Sequence, residues 1–264
     1  MNLSIIIVNY NQKDLLKLCW QNIIGARIKL FYEVIFVDNN SSDQSQKTIE
    51  EILNQAPSVS VKMILNNRNL GFARAVNQGI TASQGQYVLI LNPDVIVLPD
   101  SVEKLYQFME ERQRCAVAGP QLLNPDKSIQ DSAFRFPKWY TPMLRRTFLG
   151  RLGKKYLASY LMKDWDHQSA REVDWLLGAA LMARGSAIKQ VGPMDERFFL
   201  YFEDVEWCRR FHRANWQVYY VAEVQMYHFY QRSSADNGWQ ALVKKITWIH
   251  FISAIKYFWL SIFK

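Results

Sequence analysis

Tyr87-Val88-Leu89-Ile90-Leu91-Asn92-Pro93-Asp94 is the stretch from which the rest of the chain is read. Five consecutive apolar residues without polar alternation describe a buried strand of a helix-covered sheet. An aspartate just past the C-terminal end of such a strand stands where open α/β sheets bind ligands. A carboxylate there suits a hard divalent cation, and that cation can clamp a diphosphate. A proline or Asx turn is the plainer reading of the same residues.

Working outward, Leu3 to Val8 is a β-branched run, and Asp14 to Ile24 has helical spacing. Val34 to Val37 is a second buried strand ending at Asp38, followed by the cap-type residues Ser41, Ser42 and Asp43 before a helix over Gln46 to Asn54. Val59 to Leu65 reads as a strand and Ala73 to Ser83 as a helix. Asp100 or Ser101 is expected to cap a helix reaching about Arg112, and Ala116 to Gly119 to open another strand. This alternation predicts an α/β fold with a mostly parallel sheet to about residue 120. Beyond it, Pro120 to Pro142 is loop-rich, Val173 to Ala183 and Val218 to Val221 suit strands, and Glu203 to Ala214 suits a helix.

At 264 residues with 49% hydrophobic side chains, the chain can bury a large core and is not disordered. The net charge of +8 is uneven: Arg135 to Lys155 holds seven basic residues and no acid. Such a run suits phosphate, nucleic acid or an anionic membrane, or is a solvated helix face. Three cysteines without CxxC spacing argue against a disulfide framework and a Cys-rich zinc site, and fit a reducing compartment. The strand-like start carries no basic n-region or cleavage site, so no signal peptide is expected. The aromatic-rich stretch from Trp239 to Lys264 is interrupted by His250 and Lys256. It is too short and too charged to span a bilayer, and suits an amphipathic helix in a membrane interface, or one docked on its own core or a second subunit.

Four further groups carry candidate chemistry. Asn9, Tyr10 and Asp38 end strands along one sheet edge, where a nucleotide can lie, although Asp at strand ends is common in turns. Asn66 to Asn77 mixes amides, arginines and Gly71 before a helix, which suits anions or is an ordinary capped helix. Phe198 to Trp207 leads five apolar residues into Glu203, Asp204 and Glu206. A carboxylate beside aromatic walls can accept a proton near neutral pH, and the same acids suit the first turn of a helix. His228 is a ligand candidate by its company alone. No GxGxxG, GxxxxGK[ST] or GxSxG occurs, which disfavours dinucleotide oxidoreductases, P-loop NTPases and α/β-hydrolases.

On these residues the chain resembles the family 2 glycosyltransferases of GT-A fold, and within them the bacterial rhamnosyltransferase-like branch. Ser4 to Asn11 looks like the family's opening strand and loop, Val37 to Asp43 its second nucleotide-binding segment, and Asn69 to Asn77 its N-x-G segment. Leu91 to Asp94 stands for the DxD motif, Asp174 to Ala179 for the acceptor-side segment, and Phe202 to Glu206 for the acidic base motif. The resemblance implies a GT-A, Rossmann-like, mostly parallel mixed sheet flanked by helices over 1–238, with a C-terminal amphipathic helical extension over 239–264. Residues 1–120 would form the nucleotide-sugar-binding half and 121–238 the acceptor-binding half.

The implied activity is an inverting transfer from a nucleoside diphosphate sugar to a hydroxyl of a glycan or lipid-linked glycan. Asp204 would be the base, with Trp175, Glu203 and Glu206 toward the acceptor. Val8, Asn9, Tyr10, Asp38, Asn69, Gly71, Arg74, Asn77 and Asn92 would face the donor, and Asp94 with His228 would hold Mg²⁺ or Mn²⁺. Asn92 stands at the first DxD position and Asn40 replaces a common acid, departures that leave the nucleotide preference open. The resemblance to the rhamnosyltransferase branch, which often shows both, implies dTDP-rhamnose as donor, with UDP- or GDP-sugars as alternatives. A peripheral place on the cytoplasmic face of the plasma membrane is expected, with a homo-oligomer possible and no nucleic acid partner. A non-catalytic membrane-bound scaffold of the same fold is the rival, disfavoured by the intact acidic cluster. A nucleotidyltransferase would need a glycine-rich basic loop where Asn9-Tyr10-Asn11-Gln12 stands.

Overall fold

The computed structural model describes residues 1–55, 59–146, 148–229 and 245–262. The apolar runs become strands because alternate side chains enter two different cores. From β1 (Leu3–Asn9), Ile6 faces one layer while Leu3, Ile5 and Ile7 face the other. β2 (Tyr32–Asp38) and β4 (Tyr87–Leu91) divide in the same way, so both faces are mainly apolar. α1 (Lys13–Gly25) and α2 (Ser45–Gln55) cover one face. α3 (Phe72–Ala82) covers the other.

β3 (Ser60–Leu65), β2, β1 and β4 are mutually parallel in that spatial order. β5 (Val95–Val97), α4 (Ser101–Glu110), β6 (Cys115–Leu123), the short β7 (Ala133–Phe134), α5 (Thr141–Arg146) and α6 (Lys154–Tyr160) follow in the chain. Next come β8 (Arg171–Glu172), β9 (Trp175–Leu176), β10 (Ala180–Arg184), α7 (Gly185–Val191), α8 (Glu203–Arg213), β11 (Gln217–His228) and α9 (Lys245–Ile262). The main sheet continues β4-β10-β6-β11-β5, with β10 antiparallel to both neighbours and β8 pairing β11. The result is the mixed α/β sheet expected of the GT-A class.

Several elements differ from the sequence reading. The run Val173 to Ala183 splits into β9 and β10, because Leu177 and Asn92 take backbone partners on different loops: Leu177 N–H donates to Ser132 O and Asn92 N–H to Ala179 O. β11 extends seven residues past Val221, through a register irregularity that lets one strand pair with both β6 and β5. Neither expected cap of α4 acts through its side chain at the helix start: Asp100 is left-handed, and Ser101 Oγ donates backward to Leu98 O. The proposed domain boundary at 238/239 and residues 239–244 lie outside the described residues, as do Phe263 and Lys264.

α9 is docked rather than free. Ala254 and Tyr257 are buried in the α8-side core, Ser253 Oγ donates to Leu200 O at 2.9 Å, and Lys256 Nζ to Arg197 O at 2.8 Å. Its other side exposes Trp248, Ile252, Ile255 and Trp259, spaced four, three and four residues apart and therefore one stripe. No helix among the described residues is long and apolar enough to cross a membrane.

Candidate active site

Three distant stretches meet at the C-terminal edge of β4. Asn92 N–H donates to Ala179 O (2.8 Å), Val95 N–H donates back to Asn92 O (3.1 Å), and the Pro93-Asp94 corner is thereby pinned. Asp94 O accepts from Phe229 N–H (2.8 Å), and β5 pairs antiparallel with the end of β11. This pairing brings His228 Nε2 to 3.4 Å from Asp94 Oδ1. One residue before Ala179, Gly178 N–H donates to Asp204 Oδ2 at 3.1 Å. The β9–β10 connection is thus a strap touching Asp204 on one side and the Asp94 corner on the other.

Asp204 owes its position to an unusual turn. Tyr201 and Phe202 are both left-handed, with φ of 70° and 71°. Two successive aromatic residues in that region are strained, and such strain persists only when the surroundings enforce it. Here Phe202 packs on Tyr257 (5.4 Å) and His250 (5.2 Å) of α9. The turn delivers Glu203 and Asp204 to the first turn of α8, where Val205 N–H donates to Asp204 Oδ1 at 2.8 Å. Burial raises the Asp204 carboxyl from 3.8 to about 6, although the backbone N–H groups of Val205, Gly178 and Asp204 itself pull the other way. Glu203 is pushed up further, first by burial and then by the charge of Asp204, and its Oε2 has no hydrogen-bond partner. This pair can accept a proton close to neutral pH.

Asp94 and His228 can hold a cation together. Asp94 Oδ1 is buried without a hydrogen bond. Such an oxygen beside an imidazole nitrogen has the donor chemistry of a divalent site. Among the described residues no group of three carboxylates, imidazoles or thiols forms a complete cage. The remaining positions would fall to ligand oxygens and water, which is how Mg²⁺ is commonly bound beside phosphates.

The residues expected to face the donor gather at the adjoining ends of β1 and β2. Asn9 Nδ2 donates to Asp38 Oδ1 and Ser41 Oγ, both at 2.9 Å, while Asp38 Oδ2 accepts from Ser41 N–H and the Gln46 amide. Asp38 is fully buried, so it shapes the Ser41 turn. Val8 lies half-buried beside it, and Tyr10 is 49% exposed with its ring open to a ligand. Asn69 Oδ1 accepts from Gly71 N–H and from Asn39, whose own Oδ1 accepts from Leu70 N–H. Asn39 thus ties the two loops together, a role that its place between Asp38 and Asn40 did not reveal. Gly71 has φ +88°, and a Cβ there would meet Phe199 O at 2.5 Å, so glycine is needed for the loop before Asp204 to seat on α3.

Four of the expected site residues have structural partners. Trp175 is buried, its ring stacks on Phe134 at 4.3 Å, and its N–H donates to Arg135 O. Glu206 is occupied by Arg210 (2.8 Å), which also binds the carbonyls of Val191, Gly192 and Pro193; the pair braces α8 on α7. Asn77 is a clip for the 194–196 loop, giving and receiving hydrogen bonds with the Met194 backbone. Arg74 pairs with Glu196 at 2.8 Å in the same clip. The three thiols are buried, and burial pushes each to about 12, so none is a nucleophile.

Known proteins share this arrangement of chain. The family model described as glycosyl transferase family 2 matches residues 4–160, and that of glycosyl transferase family group 2 matches 87–248. N-acetylglucosaminyl-diphospho-decaprenol L-rhamnosyltransferase of Mycobacterium tuberculosis is 30% identical over 213 residues, covering 74% of this chain and 66% of the relative. Rhamnosyltransferase WbbL of Escherichia coli (strain K12) is 24% identical over 226 residues, covering 85% and 82%. Among solved structures, GalNAc-T7 with UDP, GalNAc and Mn²⁺ has a TM-score of 0.68 at 15% identity, over 88% of this chain and 44% of that one. The mannosyltransferase PcManGT of Pyrobaculum calidifontis, in complex with GDP-Man and Mn²⁺, has a TM-score of 0.62 at 13% identity, over 88% and 58%. This chain therefore spans just under two thirds of the mycobacterial relative and about half of these solved structures. A matched segment of more than half the chain, with the Asp94 corner inside it, leaves one conclusion: the chain belongs to glycosyl transferase family 2.

Proposed function

We propose that this chain transfers a sugar, with inversion, from a nucleoside diphosphate to a hydroxyl of a glycan acceptor. The observation that carries the reading is the shared frame of Asp204 and the Asp94–His228 pair, linked through Gly178, Ala179 and Asn92. Asp204, ionised above about pH 6, takes the proton of the acceptor hydroxyl. The freed oxygen bonds to the anomeric carbon from the face opposite the diphosphate. The anomeric carbon–oxygen bond breaks, and the electron pair leaves with the nucleoside diphosphate. Mg²⁺ or Mn²⁺ held by Asp94 and His228 would neutralise the diphosphate charge. Tyr10 and the Asn9–Asp38–Ser41 turn would seat the nucleoside, with Asn69 and Asn92 lining the cleft. Glu203, whose carboxyl is pushed up by burial and by the charge of Asp204, lies beside Asp204 at the start of α8.

The rhamnosyltransferase relatives favour dTDP-rhamnose as donor, and the name of the mycobacterial one supports a lipid-linked acceptor. The apolar stripe of α9 and the basic run from Arg135 to Lys155 support a peripheral seat on an anionic membrane, on its cytoplasmic face. A thermal-shift panel of dTDP-, UDP- and GDP-sugars with and without Mn²⁺ tests the donor. The reading expects a metal-dependent rise largest with dTDP-rhamnose; no rise with any sugar nucleotide in Mn²⁺ would overturn it.

A further inference from the structure

His228 is held from behind by a chain of hydrogen bonds with a fixed direction. His228 Nδ1 lies 2.6 Å from Gln130 Oε1. Gln130 Nε2 donates to Asn124 Oδ1 (3.0 Å), Asn124 Nδ2 to Ser128 Oγ (2.9 Å), and Ser128 Oγ to Asp126 Oδ1 (2.6 Å). All of these residues but His228 belong to one tight hairpin after β6, closed by Asn124 N–H to Ser128 O and Gln130 N–H to Leu122 O, each 2.8 Å.

The far end sets the polarity. A carboxylate can only accept, so Ser128 must give its hydroxyl proton to Asp126. Ser128 oxygen is then left to accept, so Asn124 must turn its NH₂ toward it. The Asn124 oxygen consequently faces Gln130 and takes the Gln130 NH₂. The Gln130 oxygen is left for the imidazole, and it can bind Nδ1 only if Nδ1 carries the hydrogen. The neutral ring then keeps a lone pair on Nε2, the atom 3.4 Å from Asp94 Oδ1. A lone pair aimed at a carboxylate is an arrangement that a cation between them stabilises.

We propose that Gln130 is a positioning residue: through the Asp126–Ser128–Asn124 relay it holds His228 as the Nδ1–H tautomer, so that Nε2 faces the divalent cation. The inference rests on the metal reading above. Partners of this kind behind a metal-bound histidine are worth roughly 10- to 100-fold in metal affinity.

The test is made on the full chain with ¹⁵N-labelled histidine at pH 8, where an ordinary imidazole is neutral, with His228→Gln used to assign the signals. The metal-free protein is expected to show His228 as the Nδ1–H tautomer. Gln130→Leu is expected to shift that signal toward the Nε2–H form and to weaken Mn²⁺ binding in the presence of dTDP by roughly 10- to 100-fold. Gln130→Glu, which keeps an acceptor for Nδ1–H, is expected to restore the tautomer. An Nε2–H tautomer in the wild-type chain overturns the proposal, and this reading needs no variant to fold. So does a folded Gln130→Leu whose Mn²⁺ affinity stays within twofold of wild type. A wild-type chain that binds no Mn²⁺ with dTDP would overturn the metal reading instead, while the tautomer measurement still decides the relay.

Discussion

A carboxylic acid sealed behind aromatic residues holds its proton to higher pH, and Asp204 is such an acid. Its carboxyl titrates near 6 because burial disfavours the charge. In its proposed role as base it works only when ionised, so kcat/KM is expected to rise with pH and to reach half its plateau near pH 6. A kcat/KM profile flat from pH 5 to 8 would remove Asp204 from that role. Asp204→Asn is expected to fold and bind donor while losing at least about a hundredfold in kcat, as loss of a general base does. The stability sign runs opposite to that of most aspartates. Because the folded value lies above the unfolded one, stability from holding the proton is present below pH 4 and lost as pH rises through about 6. The stability of Asp204→Asn relative to wild type should therefore increase over that window, by about 3 kcal/mol at roughly 1.4 kcal/mol per pH unit. Urea melts of both proteins at pH 4 and pH 8 measure this difference directly. Asp94, Asp204 and His228 could be singled out in the sequence only by their company, because each alone has an ordinary structural use in a turn or a helix start. Gln130 could not be, since its partner lies 98 residues away and an amide in a loop is chemically mute until that partner is known.

At the scale of elements, the site depends on one loop seated between two helices. The loop 197–202 is clamped from the α3 side, where Phe72 N–H donates to Phe199 O at 2.7 Å, and from α9, where Tyr257 and His250 enclose Phe202. Gly71→Ala puts a methyl at 2.5 Å from Phe199 O on a residue with φ +88°. The expected cost is about 1–3 kcal/mol of stability together with a fall in kcat, because the same movement unseats Asp204. Unchanged melting and unchanged kcat in Gly71→Ala would show that the loop has slack. Tyr257→Ala on the other side removes a buried ring and is expected to cost about 3–5 kcal/mol in a denaturant melt. The parallel half of this architecture was readable from sequence, since β1, β2 and β4 are mainly apolar runs buried on both faces. The rest was not: β5 has three residues, and β10 runs antiparallel to both β4 and β6. Neither fact leaves a mark in hydrophobic periodicity.

For the molecule as a whole, the proposed lipid-linked acceptor raises the question of which surface would turn toward it. Deleting the C-terminal stretch is a poor test, because α9 contributes Ala254 and Tyr257 to the core and encloses the turn before Asp204. Changing the exposed stripe leaves the buried Ala254 and Tyr257 side chains in place. Trp248 and Trp259 are 59% and 60% exposed, with Ile252 and Ile255 between them, and no acid occurs from Asn237 to Lys264. Indole rings at both ends of an apolar stripe match the preference of tryptophan for the bilayer interface. Four side chains are far fewer than the 20–30 residues a side of a typical protein interface, which argues for lipid over a second copy of the chain. Two indole rings at about 1.5 kcal/mol each are worth roughly a hundredfold in partitioning. Trp248→Ser with Trp259→Ser is therefore expected to cut sedimentation with anionic phospholipid vesicles by about that factor, while melting temperature and sugar-nucleotide binding hold. If instead the double variant still sediments and 0.5 M salt releases it, the seat is the basic run from Arg135 to Lys155, where Leu152 and Trp139 are also exposed. Because α9 grips the loop that carries Asp204, binding by its stripe would fix the base at a set distance from the lipid surface, whereas binding by the basic run alone would not.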